Sequence, residues 1–189
     1  MNVWKSFAAN EVTHSMAHYL TTLLKLHGER GYARVSDIAK ELDVTKGSVS
    51  GMKKHLKELG YVVEDENKFL RLTDGGMAKA KEVLHNRQIL NHFLQDVLDI
   101  DPVKAETDAC KIEHLVSWET CQQLFGLVQF LQSQDPIARE FLEKLKCYEL
   151  HCSSPKDCSI CDETCLVEME NPNIFDDAKP EPRDEGQSE

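Results

Sequence analysis

The order of punctuated segments in the first 76 residues limits this chain to very few folds. From about Glu11 to Leu26 apolar residues return at helical spacing (Met16, Leu20, Leu23, Leu24), and Gly28 and Gly31 are expected to end that helix. Val35 to Leu42 reads as a short second helix with Ile38, Ala39 and Leu42 facing inward. Asp43-Val44 makes a turn, and Thr45 is placed to N-cap a third helix that runs to Leu59. Val49, Met52 and Leu56 form its apolar stripe, and Gly60 stops it. Tyr61 to Val63 and Phe69 to Leu72 are β-type runs around polar residues 64–68, the pattern of a small hairpin. Asp74-Gly75-Gly76 is expected to break the chain before a long helix from about Met77 to Leu98. Helix, helix, turn, helix, hairpin is the order of a winged helix-turn-helix; an unrelated small α/β domain sharing that order is the alternative.

Three more helical segments follow, at about Lys104 to Val116, Trp118 to Gln132 and Pro136 to Tyr148. The run Leu124 to Leu131 is too apolar for an exposed helix, so it packs in a helical core or against a second copy. The expected organisation is a DNA-binding unit over 1–76, a helical unit over 77–148, a Cys-rich segment over 147–166 and an acidic disordered tail over 167–189. No apolar run approaches the roughly 18 residues of a membrane span. The first ten residues lack the pattern of a secretory signal, so a cytoplasmic location is expected.

A net charge of −11 argues against nucleic acid until it is divided along the chain. Residues 1–80 carry 12 basic against 10 acidic side chains, a net of +2, whereas residues 153–189 carry 3 against 11, a net of −8. The acidity sits at the end, and the first half can meet phosphate with a local basic face. In a winged helix-turn-helix the third helix enters the major groove of double-stranded DNA. Thr45, Lys46, Ser48 and Ser50 open that helix and are candidates for base or phosphate contact; Arg34, Lys53 and Lys54 suit phosphate. For any single lysine, a solvated helix face is the plainer explanation.

Cys110, Glu113 and His114 follow i, i+3, i+4 spacing, so a thiol, a carboxylate and an imidazole project from one helical face. Gln88, His92 and Asp96 form a second stripe, and His14 and His18 a third at i, i+4. Singly, each stripe is as readily an ordinary polar face as a metal site.

Two stretches carry a wider likeness: Gly31 to Ala39 (GYARVSDIA) and Asp108 to Ser117 (DACKIEHLVS). Over about Ser15 to Leu131 the sequence resembles the diphtheria toxin repressor family of metal-dependent repressors, including its manganese-regulator branch. The resemblance implies a mostly α protein, with a winged helix-turn-helix followed by an all-helical dimerisation and metal-binding domain. It implies a homodimeric, non-enzymatic repressor controlling metal homeostasis, with an operator as partner and no membrane or organic substrate. Cys110, Glu113 and His114 match the family's activating-metal positions, and His18 its first-helix ligand position. On the long helix the family's Arg-His is matched to Arg87-Gln88, with His92 four residues beyond Gln88 where a carboxylate is usual; Glu106 matches a position where some members carry a further His. Fe(II) is the expected ion because the set is rich in N and S donors, with Mn(II) or Zn(II) as alternatives.

Cys147, Cys152, Cys158, Cys161 and Cys165 bring five of the seven cysteines into one short stretch. Thiols so clustered suit a second metal, zinc or an iron–sulfur cluster. A redox-sensing regulator working through this segment is the alternative within the same class. A metalloenzyme is the alternative outside it, though no positioned nucleophile is legible.

Overall fold

Four helices open on a hydroxyl side chain. Thr13, Thr45, Thr73 and Ser117 accept from the backbone N–H of Met16, Ser48, Gly76 and Thr120, so each satisfies a donor that the first helical turn leaves over. The structure, a computed structural model, describes residues 12–148. Within it α1 spans His14–Arg30, α2 Val35–Glu41 and α3 Lys46–Glu58. Strands β1 (Val62–Glu64) and β2 (Leu70–Leu72) pair antiparallel, with Val62 opposite Leu72 and Glu64 opposite Leu70. Ala33 bridges to Leu70, tying the hairpin to the segment before α2. Helix α4 (Asp74–His92) continues into a π-helical turn (Phe93–Val97), followed by α5 (Pro102–Ile112), α6 (Trp118–Leu131) and α7 (Pro136–Lys146). This is the mostly helical, winged arrangement expected from the sequence.

Several boundaries differ from expectation: α5 ends at Ile112 instead of Val116, leaving Glu113 and His114 just beyond it, and two further differences lie at glycines. Gly28 does not end α1, which runs on to Arg30; Gly31 ends it at φ 76°, its N–H bonded to the His27 carbonyl. The burial of Leu23 and Leu26 outweighs the ~1 kcal/mol that an interior glycine costs. Likewise Asp74-Gly75-Gly76 forms the first turn of α4 instead of breaking the chain. At Gly76 a Cβ would overlap the Tyr61 carbonyl oxygen, so the glycine lets α4 lie directly on the root of the hairpin.

The apolar side chains form two clusters. The first gathers Met16, Leu20, Leu23 and Leu26 of α1 with Ile38, Val49, Leu56, Leu70, Ala80 and Val83. The second joins Val97 to Val128 and Leu131, with Phe93, Leu142 and Leu145 packed against it. Helix α4 and its π-helical turn therefore belong to both, the first at Ala80 and Val83, the second at Phe93 and Val97. Among the described residues no helix is long and apolar enough to cross a membrane.

Candidate metal centre and nucleic-acid face

His14 and His18 stand one turn apart on α1, and their rings meet edge to face with centroids 4.5 Å apart. Helix α5 brings Cys110 to them across 92 residues of sequence, placing its Sγ 3.2 Å from His18 Nε2. One ligand atom from each of His14, His18 and Cys110 lies within 4.8 Å of the others. Donors held about 2.0–2.3 Å from a shared ion stand about 3.3–3.8 Å from one another in a tetrahedral shell, so small rotamer adjustments bring these three around one metal. Among the described residues this is the one such group of three. His114, one turn beyond Cys110, approaches from the side, its ring 5.4 Å from that of His14.

Burial, then the neighbouring His14, lowers the pKa of His18, and the same two causes lower that of His114. Both imidazoles are therefore biased toward the neutral form that ligates a metal. Burial pushes the Cys110 thiol up, and the Arg87 guanidinium partly opposes that rise. Metal binding at this centre must displace the thiol proton.

The nucleic-acid candidates surround the start of α3. Thr45, Lys46, Ser50 and Lys54 are exposed, and the Lys54 side chain is 81% accessible. Ser48 Oγ lies 3.2 Å from the Tyr19 hydroxyl, joining α3 to α1 one residue after His18. Lys53 is held at 2.9 Å by Glu64 of β1, with Lys57 3.6 Å from the same carboxylate, so Lys53 braces α3 against the wing. Arg34 lies 4.4 Å above the ring of Phe69, at the far end of the hairpin.

A winged domain with exposed hydroxyl and basic residues thus adjoins a cluster of metal-ligating side chains. Residues 11–70 match the profile described as the iron dependent repressor N-terminal DNA binding domain, and residues 73–143 that of its metal binding and dimerisation domain. The regulator MntR of Bacillus subtilis is 32% identical over 139 residues, covering 74% of this chain and 97% of that protein. This chain belongs to the iron-dependent repressor family. Its members are the metal-dependent transcriptional repressors of the diphtheria toxin repressor type. MntR of Bacillus pumilus is 35% identical over 123 residues, 65% of this chain and 85% of that protein. Among solved structures, T. acidophilum IdeR is 26% identical with a TM-score of 0.51, covering 60% of this chain and 53% of IdeR. The manganese regulator SloR, at 23% identity and a TM-score of 0.55, shares the fold over 61% of this chain and 54% of its own. The chain therefore spans about half the length of these two solved relatives.

The family's positions are not all gathered at the centre. Glu113 is wholly buried, and both of its carboxylate oxygens are taken by Arg87: Nη2 donates to Oε1 at 2.8 Å, and Nε donates to Oε2. Arg87 Nη2 also lies 3.7 Å from Cys110 Sγ. Hydrogen bonding to Glu113 raises the pKa of this guanidinium further, so it is a permanent cation. The neighbouring Asn86, also buried, donates to the carbonyls of Glu113 and Val116 and anchors the end of α5. Gln88 and His92 are exposed and line a separate shallow groove with Asn91, Gln95 and Asp96. His92 Nδ1 lies 2.7 Å from Asp96 Oδ2, and Glu106 accepts from Asn91 at 2.7 Å. A step of one residue turns a helix by about 100°, so Arg87 faces the centre while Gln88 faces away. Cys147 is exposed; Cys152, Cys158, Cys161 and Cys165 lie outside the described residues.

Two residues at the centre were absent from the expected set. His14 had a signal, its i, i+4 relation to His18. Arg87 had one too, since Ala80, Val83 and Arg87 follow i, i+3, i+7 spacing along the buried face of α4. An arginine on an apolar stripe calls for a buried anion, which is Glu113.

Proposed function

We propose that this chain is a homodimeric repressor made competent for its operator by Fe(II) held between His14 and His18 of α1 and Cys110 of α5. The observation that carries the reading is the approach of those three donors, from two helices, to within 4.8 Å. When bound, the ion supplies a cross-link between α1 and α5. The rest is done by the chain. His18 and Cys110, already 3.2 Å apart, set the distance between the two helices. Helix α1 shares its apolar cluster with Val49 and Leu56 of α3, so fixing α1 fixes the orientation of α3. Lys46, Ser50 and Lys54 then meet the major groove or its phosphates, and the partner subunit does the same at a second half-site. Arg34 remains a phosphate candidate, while Thr45, Ser48 and Lys53 position α3.

Two imidazoles and a thiolate favour Fe(II) over Mn(II), which prefers carboxylate and carbonyl oxygens. Zn(II) suits the same donors in vitro and does not discriminate. Manganese is the alternative, favoured by the MntR name of the Bacillus relatives. Anaerobic binding to the DNA upstream of the protein's own gene, with Fe(II), Mn(II) or Zn(II), tests both. Fe(II) is expected to tighten binding and Mn(II) to act only at much higher concentration. Equal activation by Mn(II) would overturn the choice of ion. Affinity unchanged by every metal would overturn the reading as a whole.

A further inference from the structure

Glu113 presents a problem in charge. Its carboxylate is wholly buried, and an ionised carboxylate so placed needs a cation in contact. At a metal centre that cation is ordinarily the ion. Here Arg87 fills the place, reaching from α4 to bond both oxygens in the bidentate manner that suits a guanidinium. Both oxygens are thereby in contact with a cation supplied by the chain itself. The same guanidinium comes to 3.7 Å from Cys110 Sγ, so it lies between the buried carboxylate and the thiol. Asn86, next to Arg87 in the chain, is also engaged, with the end of α5.

We infer that Arg87 is the resident cation of Glu113, that Glu113 is therefore not a metal ligand, and that the helical centre takes one ion per subunit through His14, His18 and Cys110. The inference rests on the proposed metal centre and adds its stoichiometry and the exclusion of one donor. It also closes the α4–α5 contact with a neutral ion pair whether or not metal is present, so only the α1–α5 contact depends on metal.

The full chain loaded with Co(II), crystallised and measured for anomalous scattering at the cobalt edge, counts the ions and places them. One ion per subunit between α1 and α5, with the Arg87–Glu113 pair intact, is expected. A second ion against Glu113, or Glu113 on the first, would overturn the inference while leaving the functional reading in place. No ion near His14, His18 and Cys110 would overturn that reading, and the inference with it. In solution, Glu113→Gln alone strands Arg87 and threatens folding, so the neutral pair Arg87→Gln/Glu113→Gln is compared with Cys110→Ser by Co(II) titration. Exchanging a whole ion pair avoids the stranded charge, and the double variant is expected to keep Co(II) affinity within ~5-fold of wild type. Cys110→Ser should lose ~100-fold or more, since even an outer-shell partner is worth ~10–100-fold. A double variant as weak as Cys110→Ser would also overturn the inference.

Discussion

His18 and His92 are both histidines on helices that the sequence marks with polar stripes, yet their surroundings differ. His18 meets a thiol and a second imidazole, whereas His92 lies exposed beside Asp96. His14→Ala and His18→Ala are therefore expected to weaken Fe(II) affinity by at least the ~10–100-fold typical of losing a supporting residue, and His92→Ala to leave it unchanged. Anaerobic competition against a coloured chelator reads all three. The centre also has a pH signature. His18 and His114 are held below the ordinary imidazole range, so near neutral pH their protons are already gone, while the Cys110 thiol is held above its own. Metal affinity should thus rise ~10-fold per pH unit above pH 7 as the thiol proton becomes easier to displace. For the metal-free fold the sign is set by the imidazoles. Their folded pKa lies below the unfolded one, so stability present above the unfolded value is lost as the pH falls toward the folded one. That Cys110 and His18 come together was legible from motif and spacing. Arg87 was not, because the motif match put the expected ligand position at Gln88, in place of the family's His, and only the helix's apolar stripe shows which of the two faces inward.

The elements were legible where local chemistry dominates. Capping by Thr45 and the φ 74° glycine at residue 60 delimit α3 almost as the sequence suggests. Thr45→Ala should cost ~1 kcal/mol of stability, read as a lowered midpoint in chemical denaturation. Legibility failed at Gly28 and at Gly75-Gly76, where glycine signals a break locally and tertiary packing decides otherwise. Gly76 has the sharper consequence, since its missing side chain is where the Tyr61 carbonyl sits. Gly76→Ala must push hairpin and helix apart, and the expected cost is ~1–3 kcal/mol. Gly28 has open space for 4 Å around the place a methyl group would take, so it should accept alanine and gain stability. A gain at position 76 comparable to that at 28 would contradict the close approach.

At the scale of the whole molecule, the two clusters leave apolar side chains over. Trp118 and Phe125 of α6, i and i+7, both lie near His85 of α4, and each remains more than 40% exposed. Ile137 and Phe141 of α7 are at least half exposed. The sequence marked Leu124 to Leu131 as too apolar for solvent without deciding between a core and a second copy. Val128 and Leu131 enter the core and Phe125, Leu127 and Phe130 do not, so this helix serves both. A second subunit is the occupant that a dimerisation domain implies. Phe125→Glu is expected to shift sedimentation from dimer toward monomer and, by separating the half-sites, to weaken operator binding more than Lys54→Ala does.

The hydrogen bond between Tyr19 and Ser48 bears on how far a signal must travel. Tyr19 follows His18 directly in the chain, and Ser48 sits in the opening turn of α3. A displacement of the imidazole can thus pass to the opening turn of α3 through the α1 backbone, the Tyr19 side chain and one pair of hydroxyls. On the proposed function, the metal centre and the DNA-facing turn of α3 therefore stand at the two ends of one short path of covalent and hydrogen bonds.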